Sequence, residues 1–347
     1  VLNQGAGEHP LTFCYQVNGS CPRTVHPLGI RLTIYLACAA GIIITVLGNL
    51  FVVFTVSYFK ALHTPTNFLL LFLALADMLL GLLVLPLSTI RSVGWRESCW
   101  YFGPSFCSCH TCCCVAFCYS SLFHLCFIST DRDIAVTDLL AFPLKFTASV
   151  SGICIGLSWI LPTAYSGAMF STGANGEGLE DLSCALNCIR GCQTAVNQNW
   201  VLINFLSFFI PTLVMIILYS NIFLGARQQA KKMENTAGQT DAASADTYKS
   251  RVAKRERKAA KTPSITVLEF TISWLRYSID SLIDVFLGFI TPYIYGICCW
   301  CAYYNSATNP LIYALFYPKF RKAITFIVSG GLFKDSSATM NLFSEQN

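Results

Sequence analysis

A single carboxylate, Asp77, lies inside the otherwise uncharged apolar stretch 64–90. An ionisable group in such a setting is expensive, so it is expected to face an interior and to act on a cation or a polar network. Asp131 and Arg132 close a second uncharged run, 106–130. Arg132 could pair with Glu256, further along the chain, and such a pair would hold one conformation; a buried water-linked network is the alternative reading. The stretch 263–288 carries Glu269, Arg276, Asp280 and Asp284. On a helix Arg276 and Asp280, four residues apart, can meet, whereas Glu269, seven residues from Arg276, has no evident partner. Trp274, Tyr277 and Tyr303 offer an aromatic wall able to hold a cation or an aromatic ligand. No nucleophile, base and orienting group can be assembled from these residues, so an enzyme is not expected. His110 and His124 read as packing histidines.

The 18 cysteines include the run Cys107-Ser108-Cys109-His110-Thr111-Cys112-Cys113-Cys114. It superficially suggests a metal site, but structural zinc motifs usually bring ligands from separate loops or turns. This run lies at the end of one apolar stretch, so no metal is expected, and nothing implies a cofactor. Most cysteines are expected to pack as small apolar residues.

The elements that must position these groups are membrane helices. Hydrophobic residues make up 54% of the 347-residue chain and charged residues 12%, about half the charged share of a soluble domain. Seven stretches are long and apolar enough to cross a bilayer, which takes about 20 residues. They are 32–58, 64–90, 106–130, 146–172, 200–224, 263–288 and 289–317. Backbone polar groups cannot stay unpaired in lipid, so each is expected to be a helix. The fold class is therefore an all-α membrane protein, a seven-transmembrane helix bundle.

With the N-terminus outside, 17 of the 23 Lys and Arg residues fall in inner loops and tail, as the positive-inside bias requires. The sequon Asn18-Gly19-Ser20 then lies on the outer side, where glycosylation occurs. Cys14, Cys21, Cys99, Cys107, Cys184, Cys188 and Cys192 share that oxidising side, and spacing alone does not fix their pairing. The polar start, 1–27, lacks the apolar core of a secretory signal, so the first span is expected to serve as its own insertion signal. After the seventh span, Phe320, Ile324 and Ile327 share a face beside Lys319, Arg321 and Lys322, the pattern of a short amphipathic helix on the inner membrane surface. The expected division is an extracellular N-terminus (1–31), a seven-span domain (32–317), the amphipathic helix (318–329) and a cytoplasmic tail (330–347). The protein is expected to be a multi-pass protein of the plasma membrane.

One polar or aromatic marker stands in each span: Asn49, Asp77, Asp131-Arg132, Trp159, Pro211, Trp274 and Asn309-Pro310-Leu311-Ile312-Tyr313. This ordered set resembles that of rhodopsin-like G-protein-coupled receptors. The segments LHTPTNFLL (62–70), SCWYFG (98–103), NQNWVL (197–202) and YYNSATNPLIYALFYP (303–318) are similar to trace amine-associated receptors, and SSATMNLFSE (336–345) points to their subtype-six and subtype-eight branch.

The resemblance implies a sodium site of Asp77, Ser121, Asn305 and Asn309. It implies a coupling switch of Asp131, Arg132, Glu256, Tyr219 and Tyr313, and disulfides Cys107–Cys192 and Cys21–Cys188. It also implies a volatile-amine ligand, membrane lipid as surroundings, and a stimulatory or olfactory heterotrimeric G protein that raises cyclic AMP. Nucleic acid is not expected as a partner, because the basic stretch 249–261 beside a span reads as a G-protein or lipid-facing surface.

The sequence departs from the family at positions implied to bind ligand. Where the family usually has an Asp, this chain has Cys114, and where the subtype-six branch has a second Asp it has Asn204. Asp133 follows Arg132, and Arg276 stands in place of a helix-kinking proline. Two readings follow. In one, the pocket is retuned, with Asp280 and Asp284 as its anionic site. In the other, ligand binding and coupling are impaired, a reading favoured by the breadth of the changes. A channel or transporter would repeat charges along a pore-lining face, and only the sixth span is charged.

Overall fold

The computed structural model describes residues 12–13, 22–23, 28–93, 102, 104–137, 142–173, 192, 197–236, 243–287 and 292–329. Near the N-terminus β1 (Thr12–Phe13) pairs antiparallel with β2 (Pro22–Arg23), placing Thr12 opposite Arg23. All the long elements are helices, as the apolar stretches predict.

The first span is α1 (Leu28–Tyr58). A 3-10 turn (Lys60–Leu62) leads to α2 (Pro65–Leu79), whose start is fixed by Pro65 and by Thr64, which accepts a hydrogen bond from the Asn67 amide. Both devices suit a helix N-terminus, where backbone N–H groups lack partners. The second span continues through a π-helical turn (Leu80–Val84) into α3 (Leu85–Val93). Next come α4 (Pro104–Thr137), a short α5 (Phe142–Lys145) and α6 (Ala148–Thr172). Thr147 caps α6 at its start, and Gly173 ends it at φ 67°, the left-handed conformation that a residue without Cβ adopts freely. Then follow α7 (Gln198–Thr236), α8 (Ala243–Leu287), α9 (Pro292–Phe316) and α10 (Pro318–Val328).

Among the described residues, five segments are individually long and apolar enough to cross a membrane: Leu28–Tyr58, Pro65–Ile90, Ser105–Thr137, Ala148–Thr172 and Gln198–Gly225. The remaining two spans of the bundle are less apolar for visible reasons. The C-terminal part of α8 holds Glu269, Arg276, Asp280 and Asp284, and α9 carries five Tyr residues, Trp300, Asn305 and Asn309.

Burial is arranged for lipid. Ile43, Leu47, Leu50, Ile153, Ile160, Ile210 and Leu268 are exposed, whereas Asn49, Asp77, Asp131 and Asn309 are fully buried. The core between helices is built from Leu69, Leu73, Leu122, Leu125, Met215, Phe270 and Tyr313. α1 and α9 approach closely, since a Cβ on Gly41 would run into the Tyr304 ring. α10 buries Phe320 and Ala323, the latter against Phe59 and Leu62, and exposes Arg321 and Lys322. That is the expected amphipathic division.

Candidate functional site

Toward the N-terminal half of α4, side chains of α4, α8 and α9 form one cluster. Cys114 Sγ lies 3.2 Å from Tyr303 Oη, joining α4 to α9. Cys118, Cys113, Phe117, Trp274, Cys299 and Trp300 pack around the same cluster. Trp274 in turn meets Tyr277 edge-on at 5.8 Å and Phe270 at 5.9 Å. Cys114, Trp274, Tyr277 and Tyr303 thus belong to one contiguous cluster. Near the N-terminal end of α4, Cys107 is bonded to Cys192, with Cα atoms 5.6 Å apart.

Asn204 is engaged elsewhere. Its Oδ1 accepts from Tyr165 Oη at 2.8 Å, its Nδ2 donates to the Trp200 carbonyl at 2.9 Å, and Tyr119 Oη donates to its backbone carbonyl at 2.9 Å. The pair expected between Arg276 and Asp280 does not form: Arg276 is exposed on α8, and Asp280 Oδ2 is buried without a hydrogen-bond partner. One helical turn brings two residues to the same stripe, but that spacing alone does not make the contact. The side chains of Asp284 and Glu256 lie outside the described residues, as do Asn18, Cys21 and Cys188.

Deeper in the bundle, Asp77 accepts hydrogen bonds from Ser121 (2.8 Å), Ser306 (2.7 Å) and Asn309 (2.7 Å). Asn49 donates to the carbonyl of Ser306 at 2.9 Å and extends the network to α1. Asn305 does not join Asp77; its side-chain amide donates to Glu269, which also accepts from Ser273 at 3.2 Å. Two sequence expectations are corrected here. Ser306 takes the place beside Asp77 assigned to Asn305, and Glu269 has partners. The physical reason is helix phase: Asn305 and Ser306 lie about 100° apart around α9, so the first reaches Glu269 on α8 and the second Asp77 on α2. The remaining residues suit a sodium ion, because Asn49 Oδ1 and Asn309 Oδ1 are buried acceptors without hydrogen-bond partners beside this carboxylate. A hard cation is attracted by such a set of oxygens.

At the inner end, Arg132 binds Asp131 at 2.5 Å and donates to Thr66 Oγ1 at 2.8 Å; Thr66 in turn donates to Asp131 at 2.8 Å. Thr66 was not evident in the sequence, since a helical threonine usually bonds its own backbone. Tyr219 packs against Val136 and Ile222, and Tyr313 is buried 6.1 Å from Phe320.

Comparison with known proteins settles the family. The description "7 transmembrane receptor (rhodopsin family)" matches residues 48–313. Trace amine-associated receptor 6 of Pan troglodytes is 67% identical over 335 residues, 96% of each chain. The protein of that name from Mus musculus is 66% identical over 338 residues, 97% of each. Trace amine-associated receptor 8a of Rattus norvegicus is 61% identical over 347 residues, 99% of this chain and 100% of the relative. The chain belongs to the trace amine-associated receptors, within the rhodopsin family. It is accordingly a multi-pass, G-protein-coupled receptor. Within this trace amine-associated receptor, Cys114 and Tyr303 set a thiol beside a phenol where α4 meets α9.

Proposed function

We propose that this receptor binds a small-molecule amine in the outer cavity bounded by Cys114, Trp274, Tyr277 and Tyr303. The observation that carries the reading is the joining of α4 and α9 at Cys114 and Tyr303, 3.2 Å apart, above Trp274. The aromatic faces supply cation–π attraction, and Asp280, with Asp284 one turn beyond it, supplies negative charge. Asn204, already bonded to Tyr165, contributes by holding that wall rather than by pairing with an ammonium.

The chain sits in the plasma membrane with its N-terminus outside, Asn18 glycosylated and Cys21 joined to Cys188. Asp77, with Ser121, Ser306 and Asn309, holds sodium and biases the inactive state. Arg132, released from Asp131 and Thr66, engages a stimulatory or olfactory G protein together with the inner ends carrying Tyr219, Glu256 and Tyr313. Lipid surrounds α10, and cyclic AMP is the output.

A receptor impaired in signalling is the second reading, favoured by the exposed Arg276 on α8. Cyclic AMP in cells expressing the chain, challenged with volatile amines and checked by surface labelling, separates the two. A response supports the retuned pocket. Silence at normal surface density overturns it.

A further inference from the structure

The turn Lys60–Leu62 and the helix α10 are far apart in the chain and are joined in the fold. Phe59 and Leu62 are buried together with Ala323, and Phe326 and Ile327 pack against them. The Phe326 ring meets Phe59 edge-on at 6.0 Å. At the other end of α10, Phe320 stacks against Tyr313 and Tyr317. Tyr317 Oη also donates to Asn67 Oδ1 at 3.2 Å, which ties the start of α10 to α2.

Three cations border this joint. Lys60, Arg321 and Lys322 are exposed, and among the described residues none of them pairs with a carboxylate. Neither 55–76 nor 310–334 contains an Asp or Glu, and Lys319 adds a further positive charge to α10. Lys322 stands one turn before Phe326, so the two are surface neighbours on the helix. Phe326 meets Phe59, and Lys60 is the next residue after Phe59. One lysine therefore approaches the joint from each segment, and Arg321 adjoins the second.

Basic residues on an amphipathic helix at a membrane surface attract anionic lipid. Here the cations come from two segments held together by buried apolar contacts, and no acid stands between them. A set fixed in that way suits several phosphates on one headgroup better than a single net charge, because ammonium and guanidinium groups bind phosphate oxygens through charge-assisted hydrogen bonds. Phosphatidylserine, with one net charge, gains little from the arrangement. A lipid anchored by its acyl chains presents its headgroup at the level where an amphipathic helix lies.

We propose that the turn Lys60–Leu62 and α10 form a binding site for the headgroup of a polyphosphorylated inositol lipid, with Lys60, Arg321 and Lys322 as its cationic contacts. The proposal rests on the reading that places this end of the bundle at the cytoplasmic membrane surface. A lipid so held clamps α10 against the first turn, beside the Tyr317–Asn67 bond.

The test is native mass spectrometry of the purified full-length receptor in detergent. Phosphatidylinositol bisphosphate is compared with phosphatidylinositol and phosphatidylserine of the same acyl chains. The bisphosphate is expected to bind at least about tenfold more tightly than either. Each cation near an anionic surface is worth about fivefold in affinity, so Lys60→Gln, Arg321→Gln and Lys322→Gln together should weaken it on the order of a hundredfold. Lys145→Gln, which removes a charge elsewhere, should leave it unchanged. Equal binding of the three lipids overturns the proposal, as does full affinity in the triple variant. Displacement by soluble inositol trisphosphate at matching affinity also overturns it, in favour of a soluble polyphosphate. Should the triple variant fail to fold, the single variants carry the test, each with its roughly fivefold loss. Antibody binding to an N-terminal tag on intact cells reads the orientation separately. A tag reached only after permeabilisation overturns that reading and the proposal with it, whereas an accessible tag without lipid preference overturns the proposal alone.

Discussion

The Cys114 thiol meets the Tyr303 hydroxyl at 3.2 Å, bridging α4 and α9. A carboxylate at that position would have the Tyr303 O–H as a ready donor. Cys114→Asp is therefore expected to increase amine potency. A partly buried ion pair whose partner is missing costs roughly 3–5 kcal/mol, so the gain should be on the order of a hundredfold or more in the cyclic AMP dose response. An unchanged half-maximal concentration would place the amine away from α4.

Thr66 bridges Asp131 and Arg132 at 2.8 Å to each. Replacing it with Val keeps the shape and removes the hydroxyl. A hydrogen bond to a charged group is worth about 1.5–3 kcal/mol, and here that sum supports the inactive arrangement. Thr66→Val should raise ligand-independent cyclic AMP several-fold at matched surface density. Basal output equal to the unaltered receptor would show that the Asp131–Arg132 pair holds without it.

Arg276 is exposed on α8, and the internal proline of that helix is Pro263, far toward the inner end. An arginine near mid-span costs about 2.5–3.5 kcal/mol on insertion scales. Arg276→Leu should raise the fraction of receptor reaching the cell surface, measured by flow cytometry of an extracellular tag. No increase would mean that the side chain reaches the interface and is tolerated there.

Gly41 faces Tyr304, whose hydroxyl donates to the Ala37 carbonyl at 3.1 Å. Alanine normally favours a helix over glycine by about 1 kcal/mol. Here the added methyl meets a ring fixed at its far end, and overpacking typically costs about 1–3 kcal/mol. Gly41→Ala should lower the melting temperature of the purified receptor, and Tyr304→Leu in the same chain should restore it. A higher melting temperature for the single variant would show that α1 moves aside easily.

Much of the bundle can be read from composition, because lipid imposes long uncharged stretches and makes an interior charge such as Asp77 conspicuous. Ser121 and Asn309 follow from the family pattern and do reach Asp77. Ser306 and Thr66 could not be recognised in the same way. A hydroxyl on a membrane helix can satisfy itself on the carbonyl four residues back, as Thr45, Ser129 and Ser158 do, so its presence alone says nothing about a tertiary partner. Asn305 shows the other limit. It is the immediate neighbour of Ser306, a step of about 100° around the helix, and that angle decides between Glu269 and Asp77. Arg276 and Asp280 carry the same lesson in reverse, since spacing allows their contact and the packing of α8 against α9 does not use it.

The π turn at Leu80–Val84 acts as an angular setting for the outer half of the second span. A turn of this kind accommodates one residue more than the regular helix, which advances the phase of everything beyond it by about 100°. Asp77 lies before the turn and is indifferent to it. Ser88 lies after it and reaches His110 at 3.1 Å. Removing one residue from 80–84 would let the helix close into regular turns, swing Ser88 off His110 and present a different wall to the cavity, while the cation site kept its place. The two halves of this helix can therefore vary independently, with the residue count between them as the dial.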